Sequence, residues 1–444
     1  MRAGVNKTIL GLALPALGAL IAEPLFLLTD TAMIGHLGST PLAALGLAGT
    51  ILQTVVGLLI FLAYATTPFV ARRLGAGDSR GALAAGVDGI WLALLLGVVM
   101  AMAGFAFGSS VVTWFQAENA VSSAATTYLT ISWWGLPGML LVLAATGVLR
   151  GLQDTMTPFV VAAVGFGANI VLNAVLIYGV GLGLVGSAIG TVIAQWAMAV
   201  WLVAVVIKQA ISEGASLRPG SAGVFRAAQL GGWLFVRTVS LRAALVGATV
   251  VATQLGTEDL ATWHVAFTVF SLIALALDSL AIAAQTLIGN RLGASDREGV
   301  HEVLRTTIRW GILAGAVFGV LLIAASPLFP IALTSDPVVR SMLTPVFVVL
   351  GLAMPLGGYV FVLDGVLMGA GDGRYLAITG LINLASVVPF FWLTLAVAGG
   401  SSVVWLGVTA LQASVGFGYL GARALTLGLR AHGDKWMVMG VDNR

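Results

Sequence analysis

Long apolar runs alternate with short polar stretches along the whole chain. Spanning the hydrocarbon core of a bilayer, which is roughly 30 Å thick, takes about 20 apolar residues of helix. Twelve runs meet this length, at approximately residues 8–34, 42–68, 82–107, 124–146, 157–179, 183–208, 228–253, 260–288, 304–325, 340–369, 375–397 and 402–427. They are continuous and lack the two-residue alternation of barrel strands. The pattern predicts an all-α integral membrane protein with twelve transmembrane helices.

The composition supports this class of protein. Hydrophobic residues make up 59% of the chain and charged residues only 9%, a balance typical of proteins that use lipid as their solvent. The chain contains no cysteine, which excludes disulfides, thiolate metal sites and a cysteine nucleophile. The formal charge of +3 is small and its basic residues form short clusters, so no nucleic-acid partner is predicted.

Lysine and arginine concentrate in alternate loops. They precede the first span and follow every even-numbered span, whereas the odd-numbered loops hold almost none. Arg340 lies near the loop after the ninth span and is the exception. The basic positions that follow the pattern are Arg2, Lys7, Arg72, Arg73, Arg80, Arg150, Lys208, Arg218, Arg226, Arg291, Arg297, Arg305, Arg309, Arg374, Arg430, Lys435 and Arg444. Because cytoplasmic loops retain such residues, we predict a multi-pass protein of the cell membrane with both termini in the cytoplasm.

Three stretches of sequence recur at one offset of 218 positions. Residues 36–48 resemble 254–266, residues 72–82 resemble 290–300, and residues 147–154 resemble 365–372. This recurrence indicates six helices that have been duplicated. Because six is even, both halves enter the membrane with the same polarity, which predicts a pseudo-twofold axis along the membrane normal.

The repeat also predicts the domain boundaries. The expected parts are an N-terminal six-helix bundle at 1–212, a cytoplasmic linker at 213–227, a C-terminal six-helix bundle at 228–428 and a cytoplasmic tail at 429–444. The linker is rich in Gly, Ser and Pro, as expected of a boundary between domains.

Four motifs together resemble those of multidrug and toxic compound extrusion (MATE) transporters. They are DTAMIGHLG (30–38), RLGAGD (73–78), GVLRGLQDTMTP (147–158) and NIVLN (169–173). The short loops and LDGVLMGAGD (363–372) look most like the DinF branch. The resemblance implies two six-helix bundles arranged as a V around a central cavity, and export of organic compounds in exchange for protons or sodium.

Asp30 is the single carboxylate of residues 27–38, LLTDTAMIGHLG, which begin inside the first apolar span. Asn169 and Asn173 lie four residues apart, on one face of the fifth span, and Thr191 is a hydroxyl expected at similar depth in the sixth. Acids inside membranes are functional-site candidates by default, and these oxygens suit a hard cation or a network that senses protonation. The alternatives are that Asp30 caps its helix and that the asparagines are interhelical contacts.

The family resemblance sharpens this hypothesis. In archaeal relatives the matching positions of the first, fifth and sixth spans form a cation-binding cluster, but Asn173 stands where those relatives carry a second aspartate. Asp30 is then the only acid of the cluster. We therefore predict coupling to protons, with sodium held by Asp30, Asn169, Asn173 and Thr191 as the alternative.

Two prolines and a second acid lie near Asp30 in the first span. Glu23 precedes Asp30 by seven residues, about two helical turns, and so shares its face. Pro15 and Pro24 each remove a backbone hydrogen bond. Bending of this helix upon neutralisation of its acids is one hypothesis, and static kinks are the other.

The second half carries different charged residues. Asp278 and Asp364 are predicted to pair with Arg237 and Arg242, because unpaired charges at that depth are costly. This network is either structural or part of gating, and His264 is either a titrating group or a packed histidine. At the repeat offset Asp30 corresponds to Ala248, so the acids are not duplicated.

The leading functional prediction is a secondary antiporter that exports organic cations or amphipathic compounds in exchange for protons by alternating access. No ATP-binding motif is present, so the energy must come from an ion gradient. The expected partners are small organic substrates, the coupling ion and the lipid bilayer, with no cofactor and a monomeric chain. A lipid-linked precursor flippase is the further alternative. An enzyme is not predicted, because no metalloprotease or nucleophile-elbow motif occurs.

Overall fold

The computed structural model describes residues 2–400 and 403–441, with side chains from Gly4 onward. The α-helices in this part of the chain are α1 (Arg2–Gly35), α2 (Ser39–Leu59), α3 (Phe61–Gly75), α4 (Ser79–Thr113), α5 (Asn119–Ser132), α6 (Leu136–Gly151), α7 (Met156–Ala174), α8 (Gly183–Ser212), α9 (Ser221–Leu255), α10 (Thr257–Gly293), α11 (Arg297–Ala325), α12 (Phe329–Leu333), α13 (Pro337–Gly369), α14 (Gly373–Gly399), α15 (Leu406–Ala413) and α16 (Leu420–His432). A 3₁₀ turn spans Trp133–Gly135, and π-helical segments span Val175–Gly179 and Ser414–Tyr419. No strand occurs among the described residues, so the all-α prediction is confirmed.

The helices agree closely with the predicted membrane spans. Among the described residues, 11 helical stretches are long and apolar enough to cross a bilayer, and each contains one of the first eleven predicted spans. The twelfth prediction corresponds to the helical run from Leu406 to His432, where the π-helical segment, Gln412 and Arg423 interrupt the apolar pattern. Residue 402 at its start, Arg444 and the side chain of Arg2 lie outside the described residues.

The sequence repeat is visible in the turns of the backbone. Three pairs of residues at the 218-position offset share a positive φ angle, a conformation that favours glycine. The pairs are Gly38 (123°) with Gly256 (148°), Gly77 (78°) with Ser295 (55°), and Gln153 (64°) with Gly371 (73°). The two copies therefore make the same turns as well as sharing residues.

Helices α4 and α11 begin with the same cap. Asp78 Oδ1 accepts a hydrogen bond from the backbone N–H of Gly81 at 2.8 Å, and Asp296 Oδ1 accepts one from Gly299 at 2.9 Å. Such a cap satisfies one of the free N–H groups at a helix start and typically contributes about 1 kcal/mol. The two aspartates lie 218 positions apart, so the repeat extends to the local hydrogen bonding.

One close contact between helices is also repeated. Gly147 of α6 packs on the backbone of Ala63 in α3, and Gly365 of α13 packs on the backbone of Ala281 in α10. A β-carbon at either glycine would overlap the carbonyl group that it faces. Small residues allow such close approach in membranes, where packing rather than the hydrophobic effect holds helices together.

The described residues form two compact units. The first unit is Leu14–Gly231, and the second unit is the chain up to Ala13 together with residues from Gly232 onward. The chain thus passes from one unit to the other inside helix α9, between Gly231 and Gly232, a few residues beyond the predicted linker. That linker is partly helical, because α9 begins at Ser221.

Within the first unit, helices α1 and α7 lie side by side and run in the same direction. Phe26 of α1 stacks on Phe166 of α7, with ring centroids 5.3 Å apart. Further along both helices, the hydroxyl of Tyr178, just beyond α7, donates to the carbonyl oxygen of Met33 at 2.6 Å. The first and fifth spans are expected to cross the membrane in the same direction, and these two contacts agree with that expectation. They also place the polar residues that lie between them on α1 and α7 at the same height.

Candidate functional site

Asp30 is buried at the meeting point of three helices of the first unit. Its residue is 4% exposed. Its Oδ1 atom accepts a hydrogen bond from Asn173 Nδ2 of α7 at 2.9 Å and another from Ser187 Oγ of α8 at 2.8 Å. A carboxylate in this setting ties α1 to both neighbouring helices through charge-assisted hydrogen bonds.

The other predicted members of the cluster lie beside this pair. Asn169, one turn before Asn173 on α7, is buried, and its Nδ2 atom lies 3.5 Å from Thr191 Oγ1 on α8. The structure therefore brings together Asp30, Asn169, Asn173 and Thr191, as the sequence predicted. The Oδ1 atoms of both asparagines are buried and accept no hydrogen bond from the described residues.

Two further residues belong to this cluster and were not predicted. Ser187 donates directly to Asp30, and buried Tyr128 of α5 interacts with Ser187, Thr191 and, electrostatically, Asp30. A sequence signal for Ser187 existed, because it precedes Thr191 by four residues and shares its helix face. No signal marked Tyr128, since only the packing of α5 brings it to the site.

The remaining predicted residues of α1 have different environments. Glu23 is exposed and its side chain makes no hydrogen bond with the described residues. Pro15 and Pro24 are both half-buried inside α1, which is helical over its full length. Each proline leaves the carbonyl group four residues earlier without its usual backbone donor.

The second unit contains a buried ion cluster centred on Asp364. Its Oδ1 atom lies 3.1 Å from Nε of Arg237 and 3.0 Å from a terminal nitrogen of Arg423. A second nitrogen of Arg237 pairs with the Oδ2 atom. The predicted pairing of Asp364 with Arg237 is thus present in the structure, and Arg423 is an additional member. A basic residue inside the twelfth apolar run was the signal that could have identified Arg423.

The other charged residues predicted for this half are arranged differently. Arg242 and His264 are exposed, and neither side chain forms an ion pair or hydrogen bond with the described residues. Asp278 is half-buried and lines a cavity of about 180 Å³ together with Asp364, Arg237 and Arg423. The structure therefore brings Asp278 near the cluster and leaves Arg242 and His264 outside it.

The two halves carry different side chains at equivalent positions of the repeat. At the 218-position offset, Ala248 replaces Asp30 and Phe391 replaces Asn173. The Phe391 ring packs beside Gly247, which adjoins Ala248. An apolar contact thus occupies the place that a buried hydrogen bond occupies in the first half.

A family model described as MatE matches residues 15–175 and 243–393 of this chain. The chain is 30% identical over 439 residues to Protein DETOXIFICATION 44, chloroplastic, of Arabidopsis thaliana, covering 94% of this chain and 83% of that protein. It is 28% identical over 419 residues to DNA damage-inducible protein F of Escherichia coli strain K12, covering 92% and 90%.

Similarity to solved structures extends over the whole fold. The structure of the Vibrio cholerae MATE transporter VcmN in the bent form superposes with a TM-score of 0.86, covering 97% of this chain and 99% of that one. The two sequences are 20% identical, so this likeness concerns the fold. The ranges matched by the family model include Asp30, Asn173 and Asp364, and they leave out Ser187 and Arg423.

Proposed function

The chain belongs to the MatE family of membrane transporters, and on this premise we propose that it is a proton-coupled multidrug antiporter. It exports organic compounds, cationic or amphipathic, and protons move in the opposite direction by alternating access. The observation that carries this proposal is the buried carboxylate of Asp30, which is hydrogen-bonded to two other helices of its unit. An ionisable group at such a position is the feature by which an ion gradient can act on a membrane protein.

The hydrogen bonds of Asp30 suggest how a proton acts. Both donors reach Oδ1, and Oδ2 accepts no hydrogen bond from the described residues, so Oδ2 is the atom that we propose receives the proton. Neutralisation weakens the hydrogen bonds from Asn173 and Ser187, because bonds to an ionised acceptor are roughly twice as strong as neutral ones. The proton thereby changes how firmly α1 is held to α7 and α8.

We propose that α1 has a straight and a bent shape, and that protonation of Asp30 changes the balance between them. Pro24 lies six residues before Asp30 and leaves a gap in the backbone hydrogen bonding of α1. The transporter VcmN, to which the fold is similar, has been solved in a form described as bent. If the proton binds one shape of α1 more tightly and the substrate binds the other, then binding of either one disfavours binding of the other.

Sodium coupling is the second candidate, and one observation favours it. Asn169 Oδ1 and Asn173 Oδ1 are buried oxygens without a donor among the described residues, and such oxygens suit a hard cation. The cluster supplies one carboxylate rather than two, which is why we prefer the proton.

We also propose the setting in which the protein works. The alternation of basic loops supports a cell-membrane location with both termini in the cytoplasm. We propose that the chain acts as a monomer, because each unit has its own buried polar cluster within one chain. In the second unit, we propose that Asp364 with Arg237 holds α9 to α13 and contributes to gating.

The test is reconstitution of the purified protein in proteoliposomes with a fluorescent organic cation. Export driven by a proton gradient, with matching proton counter-flow, is expected in the wild type. Asp30→Asn should abolish both fluxes while preserving the thermal unfolding transition. Undiminished efflux by Asp30→Asn would refute the mechanism, and efflux that requires sodium but no proton gradient would select the second candidate.

A further inference from the structure

The cavity of the second unit has one strongly aromatic wall. Helix α10 contributes Trp263, Phe267 and Phe270, and α13 contributes Phe361. Ring centroids of Trp263 and Phe267 are 6.2 Å apart, and those of Phe267 and Phe270 are 6.3 Å apart. A continuous row of aromatic faces favours a flat, apolar ligand body.

The polar part of the lining includes two arginines that share one carboxylate. Asp364 already accepts from both Arg237 and Arg423, so its carboxylate is occupied by two cations. These three side chains together carry one net positive charge. Arg423 is 9% exposed. Among the described residues, its side chain forms an ion pair with Asp364 and with no other residue. Most of its five N–H groups therefore remain for another acceptor.

Tyr419 supplies a second donor at the same place. It lies at the end of the π-helical segment, lines the cavity and is 4% exposed. Its hydroxyl is buried and has no hydrogen-bond partner among the described residues. Buried polar groups without a partner are rare in proteins, and π-helical segments often mark functional sites, so both features indicate a binding site at this place.

The size of the cavity limits the ligand. Drug-sized molecules occupy pockets of about 300–1,000 Å³, whereas this cavity is about 180 Å³. An engineered apolar cavity of about 150 Å³ in another protein holds benzene. One ring with one small polar substituent therefore fits.

We propose that this cavity binds a single-ring aromatic carboxylate. The ring packs against Phe267 and its neighbours, and the carboxylate accepts hydrogen bonds from Arg423 and the Tyr419 hydroxyl. Asp278 also lines the cavity and opposes an anion, which confines the carboxylate to the Arg423 end. This site is separate from the Asp30 cluster, and it does not rest on the proton-coupled export proposed above.

The first test compares three single-ring probes of similar size on purified protein in lipid nanodiscs. Benzoate, benzamide and benzylammonium are each titrated by calorimetry. Benzoate is expected to bind about tenfold more tightly than benzamide, as a charged acceptor does when donors are available. Preference for benzylammonium, or no binding of benzoate, would overturn the proposal.

Variants then locate the binding site. Tyr419→Phe should weaken benzoate by severalfold and benzamide less, because a neutral amide oxygen is a weaker acceptor than a carboxylate. The substitution removes a hydroxyl that has no partner among the described residues. Arg423→Gln should weaken benzoate more, by about tenfold, whereas Asp278→Asn should tighten it. Tyr375→Phe is the matched control, because its hydroxyl donates to the carbonyl oxygen of Thr426 at 2.7 Å.

Two results would contradict this location even if benzoate binds. One is an affinity that Tyr419→Phe and Arg423→Gln leave unchanged. The other is an affinity that is lost in Asp30→Asn, which would place the carboxylate in the first unit. Undiminished efflux by Asp30→Asn would refute the proton-coupled mechanism, but it would leave this proposal standing as long as benzoate binding in the wild type depends on Arg423 and Tyr419.

Discussion

Asn173 Nδ2 lies 2.9 Å from Asp30 Oδ1, although the two residues are 143 positions apart in the chain. The contact depends on two parallel helices, α1 and α7, held in register by the contacts that flank it. At the repeat offset the second half has Ala248 and Phe391, which cannot form such a bond. The scaffold is therefore duplicated while its buried acid is not, and this asymmetry determines which substitutions should be informative.

Ser187→Ala tests the second donor to Asp30. Loss of one interhelical hydrogen bond should cost about 1 kcal/mol of stability and reduce proton-coupled transport by threefold to tenfold. Transport by proteoliposomes and thermal unfolding in detergent measure the two effects. Ser326→Ala is the matched control, because that buried hydroxyl of the second unit donates to the carbonyl oxygen of Ile323, three residues earlier in the chain. Equal losses in both variants would contradict a specific role for Ser187.

Asn173→Asp should shift ion preference toward sodium. A second carboxylate beside Asp30 supplies the charge that a bound cation must balance. Transport should then gain severalfold from an imposed sodium gradient. Asn173→Ala removes the amide without adding charge and should lose transport with either ion. A wild-type protein that already responds to sodium as strongly as Asn173→Asp would show that this reasoning is wrong.

Pro24→Ala should make α1 more rigid. Alanine restores the backbone N–H that proline lacks, so the helix gains a hydrogen bond with the carbonyl group of Leu20. Turnover is expected to fall severalfold while the unfolding temperature stays the same or rises. Pro389→Ala in α14 is the control, since that proline lies inside a helix of the second unit, far along the chain from Asp30. Unchanged turnover in Pro24→Ala would favour a static kink.

Gly365→Ala should destabilise the packing of α13 on α10. The added methyl group would overlap the backbone carbonyl of Ala281, and such overpacking typically costs about 1–3 kcal/mol. Denaturant unfolding in micelles measures the change. Gly421→Ala provides the contrast, because a β-carbon there meets no atom within 4 Å, and helix propensity should stabilise it slightly. Similar changes for both variants would contradict the close contact.

Asp364→Ala should be strongly destabilising. It removes the carboxylate that lies between half-buried Arg237 and buried Arg423, and breaking a buried ion pair typically costs about 3–5 kcal/mol. Asp434→Ala breaks the exposed pair of Asp434 with Arg297, both 60% exposed, and should cost less than about 1 kcal/mol. Denaturant unfolding of the two variants in parallel measures the loss in free energy of unfolding. A loss for Asp364→Ala as small as that for Asp434→Ala would contradict a buried ion cluster at Asp364.

The sequence determined the architecture of this protein because its signals are local or periodic. Bilayer thickness sets the length of an apolar run, so eleven predicted spans coincide with helices in the described chain. Spacing by four placed Asn169 and Asn173 on one face, and the 218-position offset revealed the duplication. These inferences need only helix geometry and the cost of polar groups in lipid.

Only the tertiary structure decided which side chains meet. Ser187 and Tyr128 joined Asp30, and Arg423 rather than Arg242 joined Asp364, through contacts between helices that are distant in sequence. Helix periodicity fixes which residues share a face but not which helix that face touches or at what depth. A polar residue in an apolar span must find a partner because lipid offers none, and the packing of the whole unit decides which partner it finds.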